Sequence, residues 1–200
     1  MVSDVLQRLI DHIENRYYGK YRGKVVDNKD PKGLGRIRVE VPELLNDQKT
    51  GWALPCLPYG GSKDTGLFTI PEEGSNVWVE FQAGNLSSPI WTGIWWGEPS
   101  GNEVPSEAQA TNAEPAVKIL KTKAGHRIEL HDSSGQEKIF ITNKDGSIID
   151  MDSSGMTLSS DNGLSSIKLN AQGITLSRGA NSVKITDTSV TINNIAFEVI

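Results

Sequence analysis

One short unit, apolar-polar-apolar, returns through the last third of the chain between Gly, Asn, Asp and Ser residues. It occurs at Ile128/Leu130, Ile139/Ile141, Met156/Leu158, Ile167/Leu169, Ile174/Leu176, Val183/Ile185 and Val190/Ile192, with a less regular copy around Ile148. In five of these seven pairs the middle residue is Thr157, Lys168, Thr175, Lys184 or Thr191. Successive side chains of a strand face opposite ways, so each unit reads as a minimal strand with one face to bury. From Ile139 to Val190 the units start 9, 8, 11, 7, 9 and 7 residues apart. At about 3.3 Å per residue, a repeat of about 8.5 residues covers about 28 Å. A chain coiling on itself would then close a triangle roughly 9 Å on a side, too tight for sheets that pack about 10 Å apart. Three chains giving one strand each per level raise the perimeter to roughly 85 Å, and every apolar pair can meet on a shared axis. The expectation is a trimeric, intertwined β-helix (a β-prism). Its core would be Ile139, Ile141, Met156, Leu158, Ile167, Leu169, Ile174, Leu176, Val183, Ile185, Val190 and Ile192. An antiparallel meander within one chain also produces short strands between turns. Its apolar face would need cover, and no helical or strongly apolar segment follows Ala116 to supply it.

The 200 residues accommodate one large or two small domains. No long apolar run and no basic-then-apolar start is visible, so neither a membrane span nor a secretory signal is expected, and synthesis in a cytoplasm follows. Cys56 is the single cysteine. It lies in the apolar stretch Trp52 to Leu57 and reads as a small buried hydrophobe rather than a nucleophile. The negative charge is uneven: residues 1–117 hold 11 Lys/Arg against 16 Asp/Glu, and residues 118–200 hold 9 of each. Phosphate binding calls for a basic balance or cluster, and nucleic acid is therefore not an expected partner.

Ser3 reads as an N-cap before Val5, Leu6, Leu9, Ile10 and Ile13 at helical spacing, which predicts a helix over about 4–16 within an N-terminal segment 1–18. Strand patterns follow over 19–96: Tyr21 to Val26, Arg36 to Val41, Trp52 to Leu57, Gly66 to Thr69, Asn76 to Gln82 and Pro89 to Trp95. These short strands with turns about every ten residues predict a small closed barrel or sandwich. Val77, Val79 and Phe81 alternate with Trp78 and Glu80, which hides the odd face and displays Trp78. The turn from Asp27 to Gly33 lacks the alternating ligands of a calcium loop, so Asp30-Pro31 reads as turn chemistry. Residues 97–117 contain three prolines and four glutamates with almost nothing apolar, and read as a linker. The repeats at 118–200 contain no proline, as strands that donate every ladder hydrogen bond require.

The run GKVVDNKDPKGLGRIRVEVPEL (Gly23 to Leu44), then WALPCLPYGG, then LFTIPEEGSNVWVEFQAGNLSSPIWTGIWW and the β-repeat tail, resembles the baseplate assembly protein V family. These are central spike proteins of contractile phage tails and contractile injection systems. The resemblance implies an all-β chain with an OB-fold barrel (oligonucleotide/oligosaccharide-binding type) and a trimeric β-helical needle. It implies a homotrimer seated under hub or tail-tube proteins of a virion baseplate or injection particle, assembled in the bacterial cytoplasm, with its needle meeting the target envelope. Some relatives carry a glycan-cleaving domain, for which 200 residues leave no room. Some end in a His-x-His motif that binds iron, whereas this chain has no histidine after His131. No apical metal and no cofactor are expected, and a separate tip protein is expected to cap the needle.

The chemistry of the residues agrees with a non-enzymatic reading. Only His12, His126 and His131 are present. His12 reads as exposed on the helix, and His126 and His131 point to opposite faces of one strand, where they cannot chelate one metal in cis. No phosphate-binding glycine loop and no distinctive carboxylate pair appears. The leading expectation is a structural spike that works mechanically. The alternatives are a barrel that binds oligosaccharide or single-stranded nucleic acid through aromatics such as Trp78 and Trp95, with a β-meander tail, and a glycan-degrading enzyme.

Overall fold

The computed structural model describes residues 5, 6, 10, 13, 15–98, 103–109, 115–193 and 197–199. Its chain divides into two compact units, Met1–Glu103 and Val104–Ile200. Most of the helix expected over 4–16 lies outside the described residues. Val5, Leu6, Ile10 and Ile13, on which it rests, are helical and exposed.

The first unit is built on a five-stranded sheet whose alternating residues wrap a small core. Its strands are β1 (Tyr21–Asp27), β2 (Arg38–Glu40), β3 (Leu54–Pro55), β6 (Asn76–Phe81) and β7 (Pro89–Ile94), in the order β2-β1-β6-β7-β3. All neighbours are antiparallel except β3 and β7. Ile37 and Ala53 exchange two backbone hydrogen bonds, 3.2 and 2.8 Å, and so curl the two edge strands of the sheet toward each other. A four-residue helix, α1 (Pro42–Leu45), follows β2, and a small hairpin of β4 (Gly60–Ser62) and β5 (Thr65–Gly66) projects between β3 and β6. The core is Val25, Ile37, Val39, Val41, Ala53, Val77, Val79, Phe81 and Trp91. Thus the face of β6 that alternation hides is buried, and so are Ile37, Val39 and Val41.

Two expectations fail here. Cys56 is exposed, because the alternation that turns Ala53, Pro55 and Leu57 toward the core turns Leu54 and Cys56 outward. The strand expected over Gly66 to Thr69 pairs only at Thr65–Gly66, where three glycines favour the tight β4–β5 hairpin over a longer ladder.

The turn before β2 is held by one carboxylate. Asp30 accepts backbone hydrogen bonds from Lys32 (3.0 Å), Leu34 (2.8 Å) and Arg36 (3.3 Å), and pairs with the Arg36 guanidinium at 2.5 Å. Turn chemistry is therefore what Asp30-Pro31 does. The Arg36 side chain beside it holds the Asp30 carboxyl well below the usual carboxylate range. A lowered folded-state pKa contributes stability above the ordinary value of about 4 and loses it as pH falls. Asp30→Ala strands an Arg36 side chain that is only 14% exposed. The barrel of this variant is expected to melt several degrees lower at pH 7, read by tryptophan fluorescence, with the gap to wild type closing below about pH 4.

The second unit is a ten-stranded antiparallel sheet in which every strand pairs with its sequence neighbours. The strands are β8 (Val117–Lys121), β9 (Arg127–His131), β10 (Lys138–Thr142), β11 (Ile148–Asp152), β12 (Gly155–Ser160), β13 (Ser165–Asn170), β14 (Gly173–Arg178), β15 (Asn181–Ile185), β16 (Val190–Ile192) and β17 (Phe197–Val199). The ladder is therefore made within one chain. This is the meander geometry, and it also shows what a meander lacks: nothing among the described residues of this unit covers the apolar face.

Residues of the proline-rich segment before β8 pack on this sheet. Ser106–Ala108 forms a single 3-10 turn, and Glu107 pairs with Lys121 at 2.8 Å and Arg127 at 2.6 Å. Hydrogen bonding from Lys121, its own backbone N–H and Arg127 lowers the Glu107 pKa to about 2. The contribution of these contacts is complete above the ordinary Glu range of about 4.3 and disappears as pH falls toward 2. Glu107→Gln is expected to accelerate proteolysis of the 97–117 segment at pH 7, while wild type reaches the same rate only in strong acid with an acid-active protease.

Candidate assembly interface

The register of the sheet turns the scattered apolar pairs into two continuous rows. One row runs Leu120, Ile128, Ile141, Ile149, Leu158, Ile167, Leu176, Val183, Ile192 and Phe197, each directly opposite the next. The other runs Leu130, Ile139, Met151, Met156, Leu169, Ile174, Ile185 and Val190. All twelve residues expected in a trimer core stand in these rows, on one face of the sheet. The rows add Leu120, Ile128, Leu130, Ile149, Met151 and Phe197. Around Ile148 the phase differs from expectation: Ile149 and Met151 join the rows while Ile148 faces the other way, opposite Thr142 and Ser159.

The opposite face carries, between the rows, Glu129, Phe140, Asp150, Thr157, Lys168, Thr175, Lys184 and Thr191. Each strand is thus amphipathic with period two, and the two faces differ sharply in chemistry. Yet Ile139, Ile167, Leu169, Ile174, Leu176, Ile185, Val190 and Ile192 remain 38–42% exposed, while the barrel core is at most 6% exposed. An uncovered apolar strip that spans a whole sheet is a surface awaiting a partner.

Hairpin chemistry fixes this register. Four tetrapeptides of the form Asx-x-x-Gly separate the strands: Asp132–Gly135, Asn143–Gly146, Asp152–Gly155 and Asn170–Gly173. In three of them the Asx side chain accepts a backbone N–H of its own turn: Asp152 from Ser154 at 2.7 Å, Asn170 from Gln172 at 2.9 Å, and Asn143 from Asp145 at 3.1 Å.

The polar face is densest in charge near its start. Glu129, 4% exposed, lies between His131 (2.7 Å) and Arg127 (2.9 Å, an ion pair without hydrogen-bond alignment). His131 therefore faces away from Ile128 and Leu130, and His126 accepts the Lys144 backbone N–H at 3.4 Å. His12 lies outside the described residues. Among the described residues no three His, Cys, Asp or Glu side chains are grouped to hold a metal ion. In the first unit, Trp78 packs 6.2 Å from Trp95, with the Arg22 guanidinium 5.9 and 4.9 Å from the two rings. Trp78 is displayed as its strand predicts, but it is half-covered by these neighbours rather than left open to a ligand.

Two comparisons match this division of the chain. Residues 21–96, the curled five-stranded sheet, match the Type VI secretion system/phage-baseplate injector OB domain. Residues 155–198, the distal half of the apolar face, match the phage baseplate V C-terminal trimerisation domain. The chain belongs to the phage baseplate V family. As a baseplate V protein it is a structural component of a phage-tail type of particle, with an OB-fold barrel ahead of a trimerisation sheet. The match begins at Gly155, where β12 opens the half of the sheet whose strands carry no acidic residue up to Ile192. In this baseplate V chain, the apolar rows from Met156 onward lie within the matched trimerisation domain.

Proposed function

We propose that three copies of this chain form the central spike of a contractile tail or injection-system baseplate, with residues 118–200 as a needle that is driven into the target envelope. The observation that carries this reading is the uncovered pair of apolar rows, whose part from Met156 onward lies in a segment that matches a trimerisation domain. Ile139, Ile141, Met156, Leu158, Ile167, Leu169, Ile174, Leu176, Val183, Ile185, Val190 and Ile192 form the shared core. Three sheets placed face-inward make a prism, and each copy supplies the cover that the others need.

The spike works mechanically. An axial load meets ladders closed within each chain and an apolar core shared between chains, so bending requires breaking both together. The barrel of residues 19–96 seats the spike on hub or tail-tube proteins, residues 1–18 contribute a helix there, residues 97–117 link the two parts, and a tip protein closes the distal end. Assembly takes place in the bacterial cytoplasm, and the reading involves no catalytic residue, cofactor or nucleic acid.

Light scattering tests the central claim. The full-length protein is expected at about 65 kDa, three times the 21.8 kDa chain. Removal of residues 118–200 is expected to reduce the mass to that of separate barrels, and a full-length monomer would overturn the reading.

A further inference from the structure

The two apolar rows pose a problem of register. They present Ile, Leu, Val or Met at every level, and adjacent strands are spaced about 4.8 Å apart. If one copy slid along another by one or two strands, apolar side chains would still meet apolar side chains. A periodic hydrophobic face gives cohesion but does not select one alignment, just as uniform coiled-coil seams need a polar position to fix theirs.

The same face contains a third row that is not periodic. Beyond Leu158, Ile167, Leu176 and Val183, along one margin, stand Ser160, Ser165, Arg178 and Asn181, directly opposite one another in that order. The Arg178 guanidinium donates to Ser165 Oγ, and Asn193 Nδ2 donates to Asn181 Oδ1 at 3.0 Å. Among the strand residues of β9–β16, Arg178 is the one charged side chain on the apolar side of the sheet. Its place is marginal, next to the β14–β15 turn, rather than central. When three sheets close face-inward, the margins are where one copy meets the next.

Building on the trimer proposed above, we infer that this margin is the register-setting seam between copies, with Arg178 of one copy engaging the Asp187 carboxylate of the next. Asp187 is exposed in the turn after β15, the strand that pairs with β14, at the end of β15 remote from Asn181. The opposite margin of the neighbouring sheet therefore presents it about one strand from the level of Arg178, within the span of an arginine side chain. A slip of one copy away from Asp187, or by more than about two strands toward it, carries Arg178 out of reach of this carboxylate, and those shifted alignments are penalised.

The test is charge reversal in the full-length protein. Arg178→Glu and Asp187→Arg are each expected to give trimers by light scattering that dissociate at least about tenfold faster on heating, and the double reversal is expected to recover most of the difference. As an independent readout, Arg178→Cys with Asp187→Cys, in a Cys56→Ser background, is expected to give covalently linked trimers with a bis-maleimide whose spacer matches the span of an arginine side chain. Trimers whose single reversals match wild type, or whose double reversal brings no recovery, overturn the seam and leave the trimer intact. A monomeric wild-type protein overturns the trimer itself, and the seam with it.

Discussion

Leu169→Asp is expected to convert the full-length protein from a species of about 65 kDa into its 21.8 kDa monomer. Leu169 stands mid-row, opposite Met156 on one side and Ile174 on the other. In one copy its side chain is 39% exposed, so an Asp there meets water and the isolated sheet tolerates it. In the proposed trimer the same position faces the other copies, and three carboxylates would be brought together with no cation on the face at their level. Burying one unpaired charge already costs several kcal/mol, and here the penalty is repeated threefold and joined by mutual repulsion. Thr175→Asp, on the opposite face of the adjacent strand, serves as the control and is expected to leave the mass at about 65 kDa. If both variants remained trimeric, the apolar rows would not be the interface.

The second large effect concerns backbone rather than side-chain packing. Gly173 pairs with Asn170 across the β13–β14 turn at φ +116°, and a Cβ there would lie 2.0 Å from the Ile185 carbonyl oxygen on β15. Gly155 repeats the arrangement at φ +139°, 2.1 Å from the Leu169 carbonyl oxygen on β13. Gly173→Ala therefore combines a disfavoured backbone conformation with a collision against a ladder carbonyl that cannot move without opening the next strand. The expected cost is on the order of 3 kcal/mol per chain, multiplied across three copies. Thermal unfolding should report it as a markedly lower midpoint for the sheet, while Gly163→Ala, whose added Cβ meets nothing within 4 Å, should shift it far less. Equal midpoints for the two variants would show that the close approach is relieved at little cost.

Much of this architecture is legible in the residues themselves, for a definite reason. Val77, Val79 and Phe81, like the pairs from Ile167/Leu169 to Val190/Ile192, alternate strictly with polar residues, and strict alternation leaves one face to bury. Phase is lost where alternation is lost: Ile148 and Ile149 are adjacent, and only the pairing of Ile149 with Ile141 and Leu158 decides which belongs to the row. The pairing partners were legible as well, but in the turns. Four Asx-x-x-Gly tetrapeptides specify tight hairpins and hence in-chain ladders, whereas spacing alone describes a perimeter that one chain or three could fill. Glu107 could not be singled out, since a glutamate in a Pro-rich, acidic segment looks solvated until Lys121 and Arg127 are brought beside it. Arg178 is a subtler case: its position two residues after Leu176 places it on the apolar face, but its importance appears only when its row is seen to be short.

The nearest-neighbour order of the ten strands makes the length of this sheet a countable quantity. Each strand touches only the strand before it and the strand after it, so no contact fixes the total. Inserting one hairpin would lengthen the sheet by about 9.6 Å, two strand spacings, and leave all other pairings as they are. Insertion of a single strand would instead send the chain out on the opposite margin and invert every later turn. The reach of the spike proposed above could therefore change only in whole hairpins, as a ladder is extended by rungs in pairs.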